Sequence, residues 1–327
     1  MSSSFGLETT DVNEFRAAVR PVNRDLTVTG RGQFSASVTR IDAHHLWMQR
    51  VQEQLPRAWE LAIPPTRTAI LFSSAEPEFP MGWRGAEIAA NEVIPARAGV
   101  SGWHTLSGAT NWGSMSLPSD RLTDASIALS GRDATPSHDA VALAVPPLVL
   151  GRLRRLHAAM GQLAETAPEI ISNPDAAHGL EQTLTDVMLA CLGTTDIRED
   201  SAARRRHAAI VRRFLALMDA RPGQAFYLPE ICKALAVNER TLQICCQEQL
   251  GVGPKQYLLL RRLQLARQAL QIATRAPGSV TEVATRYGFW ELGRFAVYYR
   301  RTFGESPSTT LNACRRRDSR RHLSETA

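Results

Sequence analysis

The sequence predicts an α+β chain, with an antiparallel sandwich or small β-barrel at its N-terminal end, a helical region after it, and an all-α C-terminal domain. Three observations carry this. A unit of two short helices occurs twice between Pro229 and Pro307. Residues 26 to 129 break into short strand-like segments separated by Gly, Pro, Asn and Asp. Charge is divided along the 327-residue chain: residues 201 to 327 hold 22 Lys and Arg against 9 Asp and Glu, net +13, leaving 16 against 23 before them, net −7. A basic half on an acidic half points to a polyanionic partner, most often nucleic acid.

From the N-terminus, residues 1 to 25 read as a lead-in with a short helix around Val12 to Val19. Gln33 to Ile41, Thr66 to Ser73 and Gly85 to Ile94 are strand candidates, and such spacing suggests an antiparallel sandwich or small barrel. Five of the six tryptophans, Trp47, Trp59, Trp83, Trp103 and Trp112, fall here, with His104 beside Trp103. They either pack as an ordinary core or line a pocket for a compact organic effector. Arg50 or Arg84 would then meet a carboxylate or phosphate. The candidate effector residues are Arg50, Trp47, Trp83, Trp103 and His104.

No metal or cofactor is expected. His44 and His45 are adjacent, so on a strand they point to opposite faces and only one could join His104. The chain has no G-x-S-x-G, no H-x-H pair and no phosphate loop, and no enzymatic activity is expected. A metal-dependent enzyme tethered to DNA and an effector-independent repressor are the alternatives.

Residues 141 to 220 are helical in pattern. Pro147 to Ala167 carries the stripe Leu148, Leu153, Leu156, Met160 and Leu163, which packs either on the barrel or on the same stripe of a second subunit. Asn173 caps a helix running to Cys191, and Ser201 opens an Arg-rich helix to Met218 that ends at Pro222-Gly223.

The duplicated unit follows. Glu230 to Asn238, then Thr241 to Cys246, closing at Leu250-Gly251 and Pro254, recurs 52 residues later at Glu282 to Phe289. The offset then becomes 53, pairing Leu242 with Phe295, Cys246 with Tyr299, Gly251 with Gly304 and Pro254 with Pro307. Each copy has a helix with a small residue (Cys232, Ala284), a turn, and a second helix with apolar positions three and four apart, which is a helix-turn-helix pattern. Cys232 reads as a compact hydrophobe at the helix crossing. Asn238 is an N-cap, and Ser279 with Glu282 forms a capping box. Gln256 to Ile272 should be one connecting helix of about 17 residues, about 25 Å long. Two recognition helices on such a rod could reach neighbouring major-groove segments about 34 Å apart.

These residues resemble the DNA-binding domain of the AraC/XylS family of bacterial transcription regulators. Leu250-Gly251, Pro254, Arg261-Arg262-Leu263, Ala266, Val283-Ala284, Gly288-Phe289, Phe295, Phe303-Gly304 and Pro307 all fall at family spacing. The run Gly288 to Phe295, with Pro307 to Leu311, resembles the branch containing the ethanolamine-operon regulators. Arg31-Gly32-Gln33-Phe34 with Leu46 to Arg50 resembles the cupin-like sensor of such proteins. The resemblance implies a cupin-like effector-sensing domain over 1–145, a helical dimerisation and linker region over 146–220, a double helix-turn-helix domain over 221–313 and a basic tail over 314–327. It implies double-stranded DNA, a small-molecule effector, RNA polymerase and a second copy of the chain as partners, and of the two packings of the Leu148 to Leu163 stripe it favours the one on a second subunit.

In the first recognition helix, Leu242, Cys245, Cys246 and Gln249 face the core, so Arg240, Gln243, Ile244 and Gln247 face outward. Arg pairs with guanine and Gln with adenine in bidentate fashion. The second helix presents Leu292, Gly293, Ala296 and Val297, with Arg294 beside them and Arg300 and Arg301 further down. It either reads a thymine methyl or mostly grips phosphate. Arg315 to Arg317 and Arg320-Arg321 add unspecific phosphate attraction. The five cysteines, Cys191, Cys232, Cys245, Cys246 and Cys314, have no paired spacing and read as reduced thiols. The first 14 residues lack an apolar signal region, and the longest apolar run, Ala140 to Gly151, is too short and too broken by Pro146-Pro147 to span a bilayer. A cytoplasmic protein with no membrane partner is expected.

Overall fold

A computed structural model describes residues 2–20, 23–220, 226–272 and 279–313. The expectations for Pro222-Gly223, Cys314 and the basic tail lie outside these residues. The described residues divide into two compact units, one drawn from residues 1–26 and 34–208, the other from 27–33 and 209–327.

The first unit runs β1 (Ser3–Thr9), α1 (Val12–Ala18), β2 (Asn23–Val28), β3 (Ala36–Ala43), β4 (Leu46–Glu53), β5 (Arg57–Ala62), β6 (Arg67–Ser73), β7 (Met81–Trp83), β8 (Ala86–Ile88), β9 (Glu92–Ala96), β10 (Ser101–Leu106), β11 (Thr110–Pro118), α2 (Ser119–Ser130), β12 (Ala140–Ala144), α3 (Pro147–Thr166), α4 (Pro168–Ser172), α5 (Pro174–Leu192) and β13 (Ile197–Glu199). The strands form two open sheets in the orders β1-β3-β4-β11-β6-β9-β12-β13 and β2-β5-β10-β7-β8. This is the sheet-rich N-terminal region the sequence predicts, drawn as two layers and not as a closed ring. Alternation along each strand separates two cores. Leu46 and Met48 of β4, Ile70 and Phe72 of β6 and Met115 and Leu117 of β11 meet Leu150 and Leu153 of α3 and Leu184, Val187 and Met188 of α5. The opposite face of the large sheet meets the second sheet, where the His104 and Trp112 rings lie 5.2 Å apart and Phe15 lies 5.4 Å from Trp59.

Local expectations hold where the signal is local. α1 starts at Asp11, whose side chain accepts from Asn13 and Glu14 backbone N–H groups, and Asn173 caps α5 in the same way. Four readings are corrected. Ser3–Thr9 is a strand rather than part of a lead-in, paired with β3 in unbroken register. Its mostly exposed pattern gives no apolar alternation to detect. Ser119–Ser130, read with the strand-like stretch, is a helix that buries only Leu122 and Ser126. The expected strand Gly85 to Ile94 is two strands, and Arg84 and Gly85, both at positive φ (51° and 78°), make the hairpin turn that opens the first. Residues 141 to 220 likewise contain β12 and β13 besides helices. Ala140–Ala144 is a continuous apolar run buried between two neighbours, a pattern with no period to tell strand from helix.

The stripe on α3 packs onto the large sheet within one chain. Leu153 is buried, Leu156, Met160 and Leu163 pack against the same core, and Leu148 alone stays outside, 88% exposed. The first of the two packings anticipated for it is therefore present, and not the one between subunits that the family resemblance favours, because these side chains are already covered by the sheet.

The second unit holds the C-terminal half of α6 (Ala202–Asp219), then α7 (Leu228–Leu235), α8 (Glu239–Leu250), α9 (Pro254–Ile272), α10 (Val280–Arg286) and α11 (Leu292–Phe303). It also takes in residues 27–33, where Thr27 Oγ1 lies 3.2 Å from the Tyr257 hydroxyl and the Gly32 N–H donates to the Thr302 carbonyl at 3.1 Å. The rod α9 has 19 residues, about 28 Å at 1.5 Å per residue. Its Tyr257 packs near Phe214 of α6, at 5.9 Å between rings, while Leu263, Ala266 and Leu270 join the core of the second helix-turn-helix. Among the described residues no helix is long and apolar enough to cross a membrane.

Candidate nucleic-acid interface

Both helix-turn-helix units are built as the repeat implies. Asn238 caps α8 by accepting from the Thr241 N–H at 2.7 Å, and Ser279 caps α10 by accepting from the Glu282 N–H at 3.1 Å. Helices α8 and α11 both stop at a left-handed glycine, Gly251 at φ 71° and Gly304 at φ 75°. The first core is made by Cys232 against Leu242, Cys245 and Cys246, all buried. Burial holds the Cys246 thiol up at about 12 and raises Cys245 and Cys232 as well, so these are unreactive packing groups. In the second, Ala284 occupies the crossing, and Phe289, Phe295, Tyr299 and Phe303 form a ladder with ring spacings of 4.9, 5.5 and 4.7 Å. The buried Tyr299 hydroxyl is paired with Thr310 Oγ1 at 2.8 Å.

This packing leaves two outward faces. On α8, Arg240, Gln243, Ile244 and Gln247 are exposed, opposite Leu242, Cys245, Cys246 and Gln249. The two amides are not simply extended: Gln247 Nε2 donates to the Gly251 carbonyl at 2.9 Å, and the Gln243 amide lies against Gly253. On α11, Leu292, Gly293, Arg294, Ala296, Val297, Arg300 and Arg301 are exposed. Arg294 is held by Glu291 at 3.1 Å, an exposed pair that contributes little to stability and exchanges readily for another anion. The rod's own arginines are used internally. Arg261 pairs with Asp219, Arg267 pairs with Glu305 and stacks over Phe303, and Arg262 stacks over Phe289. They fasten α9 to both ends of the unit, so Arg240, Arg294, Arg300 and Arg301 are the cations that face outward on the two second helices.

The residues proposed for an effector are distributed as follows. Trp83 and His104 are register neighbours, and Trp59 lies on the other side of His104, so the three form one buried row across β5, β10 and β7. Trp103, next along β10, points to the opposite face. Trp47 sits six residues from Glu53 on β4, about 20 Å along the strand. It is half-buried between the guanidinium groups of Arg20 and Arg67, at 4.7 and 3.7 Å. Beside it Arg20, Gln49, Leu71, Ser114 and Ser116 enclose a cavity of about 20 Å³, room for one water. Arg50 lies on the other face of β4, against Gly161 of α3.

Sequence reasoning passed over the group that organises this interior. Arg57 and Glu53 form a fully buried pair, with NH2 to Oε1 at 2.9 Å and Nε to Oε2 at 3.0 Å. Arg57 also donates to the His104 carbonyl at 2.6 Å and, through NH2, to His104 Nδ1 at 3.0 Å, while Trp112 Nε1 donates to Glu53 at 2.7 Å. Because arginine only donates, His104 carries its proton on Nε2. Burial, then the Arg57 charge, hold its pKa well below the usual value. The only signal in the sequence is an opposite-charge pair four residues apart, which looks the same when it lies on the surface.

Two compact helix-turn-helix units on a shared rod, each with an exposed second helix, define a double helix-turn-helix domain of the kind that lies on duplex DNA. Residues 231–313 match the family described as a helix-turn-helix domain. The chain is 32% identical over 179 residues to the probable thc operon regulatory protein of Rhodococcus erythropolis, covering 51% of this chain and 54% of that protein. It is 35% identical over 100 residues to XylDLEGF operon transcriptional activator 2 of Pseudomonas putida, covering 31% and 64%. The crystal structure of the AraC-like transcriptional activator CuxR aligns with 87% of this chain and 100% of that one, at 16% identity and a TM-score of 0.43. Residues 231–313 thus form a helix-turn-helix domain of the AraC type, and it is in this C-terminal part that the chain is similar to AraC/XylS-type regulators. The matches span about half to two thirds of the length of the two relatives.

Proposed function

We propose that this protein is an effector-responsive transcription activator of a bacterial catabolic operon, acting as a homodimer on double-stranded DNA and recruiting RNA polymerase. The observation that carries the reading is the pair of exposed second helices, α8 with Arg240 and α11 with Arg294, Arg300 and Arg301, on the single rod α9. The relatives named as operon activators support the direction of regulation. The two-sheet unit serves as a cupin-like sensor. Its row of Trp59, His104 and Trp83 presents ring N–H groups with no acceptor among the described residues, which supports an effector that carries hydrogen-bond acceptors.

The reading is tested by mapping the genomic sites bound by the full chain and footprinting one of them. Each subunit should protect two patches about 10 bp apart on one face of the duplex. Arg240→Ala should weaken the cognate site by about 1 to 3 kcal/mol and relax preference at one base pair, while Arg320→Ala weakens all sequences slightly and equally. An equal, sequence-independent loss from both changes would remove the base-reading role of α8.

A further inference from the structure

The outward face of α11 is apolar, whereas that of α8 is polar except for Ile244. Across the offset of 53, Arg240, Gln243 and Ile244 correspond to Gly293, Ala296 and Val297. Val297 is 61% exposed, Leu292 40% and Trp290, in the turn before the helix, 79%. None of the three belongs to the core that α11 builds with α9 and α10, and a Cβ added at Gly293 would meet nothing within 4 Å. Leu292, Gly293, Ala296 and Val297 stand at i, i+1, i+4 and i+5, one face of a helix. Exposed apolar residues grouped in this way mark a contact surface.

Charge selects the occupant. Arg294, Arg300 and Arg301 flank the strip on the same helix, and the nearby acid, Glu291, is already paired with Arg294. Apolar side chains framed by cations fit a major groove, whose floor carries the thymine C5-methyl groups and whose walls are phosphate. Gly293 gives the close approach that such a contact needs, since no side chain there holds the helix off the bases.

We propose that α11 reads thymine methyl groups through Val297, Leu292 and Ala296, so that each operator half carries an element recognised by hydrogen bonds from α8 and an adjoining element recognised by methyl contact. This deepens the DNA-binding reading above and rests on it. The two elements then differ in chemistry: the α8 element depends mainly on hydrogen bonds from Arg240 and Gln243, with Ile244 its single apolar side chain, and the α11 element depends mainly on methyl contact.

The test uses the full chain and a site obtained by selection from random duplexes. Each thymidine is replaced singly by deoxyuridine, which removes the methyl and leaves every hydrogen-bonding edge unchanged. Replacement in the patch protected by α11 should weaken binding about fourfold, the value of one methyl group withdrawn from buried contact. Replacement in the α8 patch should change nothing outside the one base pair that Ile244 meets. Val297→Ala and Leu292→Ala, both at exposed positions, should bind the unmodified site more weakly and lose their response to deoxyuridine at one position each. If deoxyuridine is silent throughout while Arg240→Ala still weakens the site, methyl reading is wrong and the DNA-binding reading stands. If Val297→Ala binds and responds to deoxyuridine as the unaltered protein does but fails to activate transcription, the face is a protein contact and the proposal is overturned. Absence of any selected sequence would remove both readings.

Discussion

Acid should unfold the sheet-rich unit through His157. This residue is fully buried on the sheet-facing side of α3, 4.9 Å from the Phe72 ring. Its Nε2 lies 2.8 Å from the Gln49 carbonyl, which can only accept, so Nε2 carries the proton and Nδ1, buried and without a partner among the described residues, does not. Burial lowers its pKa to about 4, the hydrogen bond to Gln49 opposing and the nearby Arg50 charge adding to the effect. In the unfolded chain the ring takes up a proton below about 6.5, and in the folded chain only below about 4. Between those values folding must release a proton, so stability falls as the pH falls. At about 1.4 kcal/mol per pH unit the full loss is about 3 kcal/mol, developed between pH 6.5 and pH 4. His104, lowered by burial and Arg57, acts in the same direction. Urea unfolding followed by tryptophan fluorescence reports this unit, because five of the six tryptophans lie between Trp47 and Trp112. His157→Gln keeps a donor for the Gln49 carbonyl and cannot titrate, so its stability should depend less steeply on pH, by about the amount stated. Parallel pH profiles for the two proteins would refute the reasoning, whatever their difference in absolute stability.

Three further outcomes are expected. Ala236 closes α7 in the left-handed region, at φ 55° and ψ 44°, where the second copy has Gly288 at φ 77°. Ala236→Gly should stabilise the C-terminal unit by about 0.5 to 1 kcal/mol, the relief of the left-handed cost less the greater freedom of the unfolded chain, and a lower unfolding midpoint would contradict it. Arg57→Met strands the buried Glu53 carboxylate and should cost about 3 to 5 kcal/mol, much of it recovered by adding Glu53→Gln; additive losses in a denaturation cycle would show that the two side chains do not depend on each other. Leu265→Pro breaks the middle of α9 at a cost of about 3 kcal/mol or more, and footprinting should then show the α8 patch kept in weakened form and the α11 patch lost.

The amino-acid sequence by itself determined most of the C-terminal unit. Its helices are specified within a turn or two of chain, by Asn238 and Ser279 at their starts, Gly251 and Gly304 at their ends, and apolar residues three and four apart between. The same periodicity placed Arg240 and Val297 on outward faces before any coordinate was needed. In the sheet-rich unit the parity that sends Trp47 and Arg50 to opposite faces of β4 is also readable once the strand is granted. Which face meets the second sheet and which meets α3 is not, because pairing joins segments as distant as Ser3–Thr9 and Ala36–Ala43, or Glu92–Ala96 and Ala140–Ala144, whose own residues carry little preference for one partner. Only the tertiary structure decided that Glu53 and Arg57 would be buried together with His104 and Trp112, that the α3 stripe would pack on its own sheet, and that Gln247 would bond back to Gly251. Helix faces follow from neighbours in the chain, whereas a buried charge pair follows from what lies across from it in space.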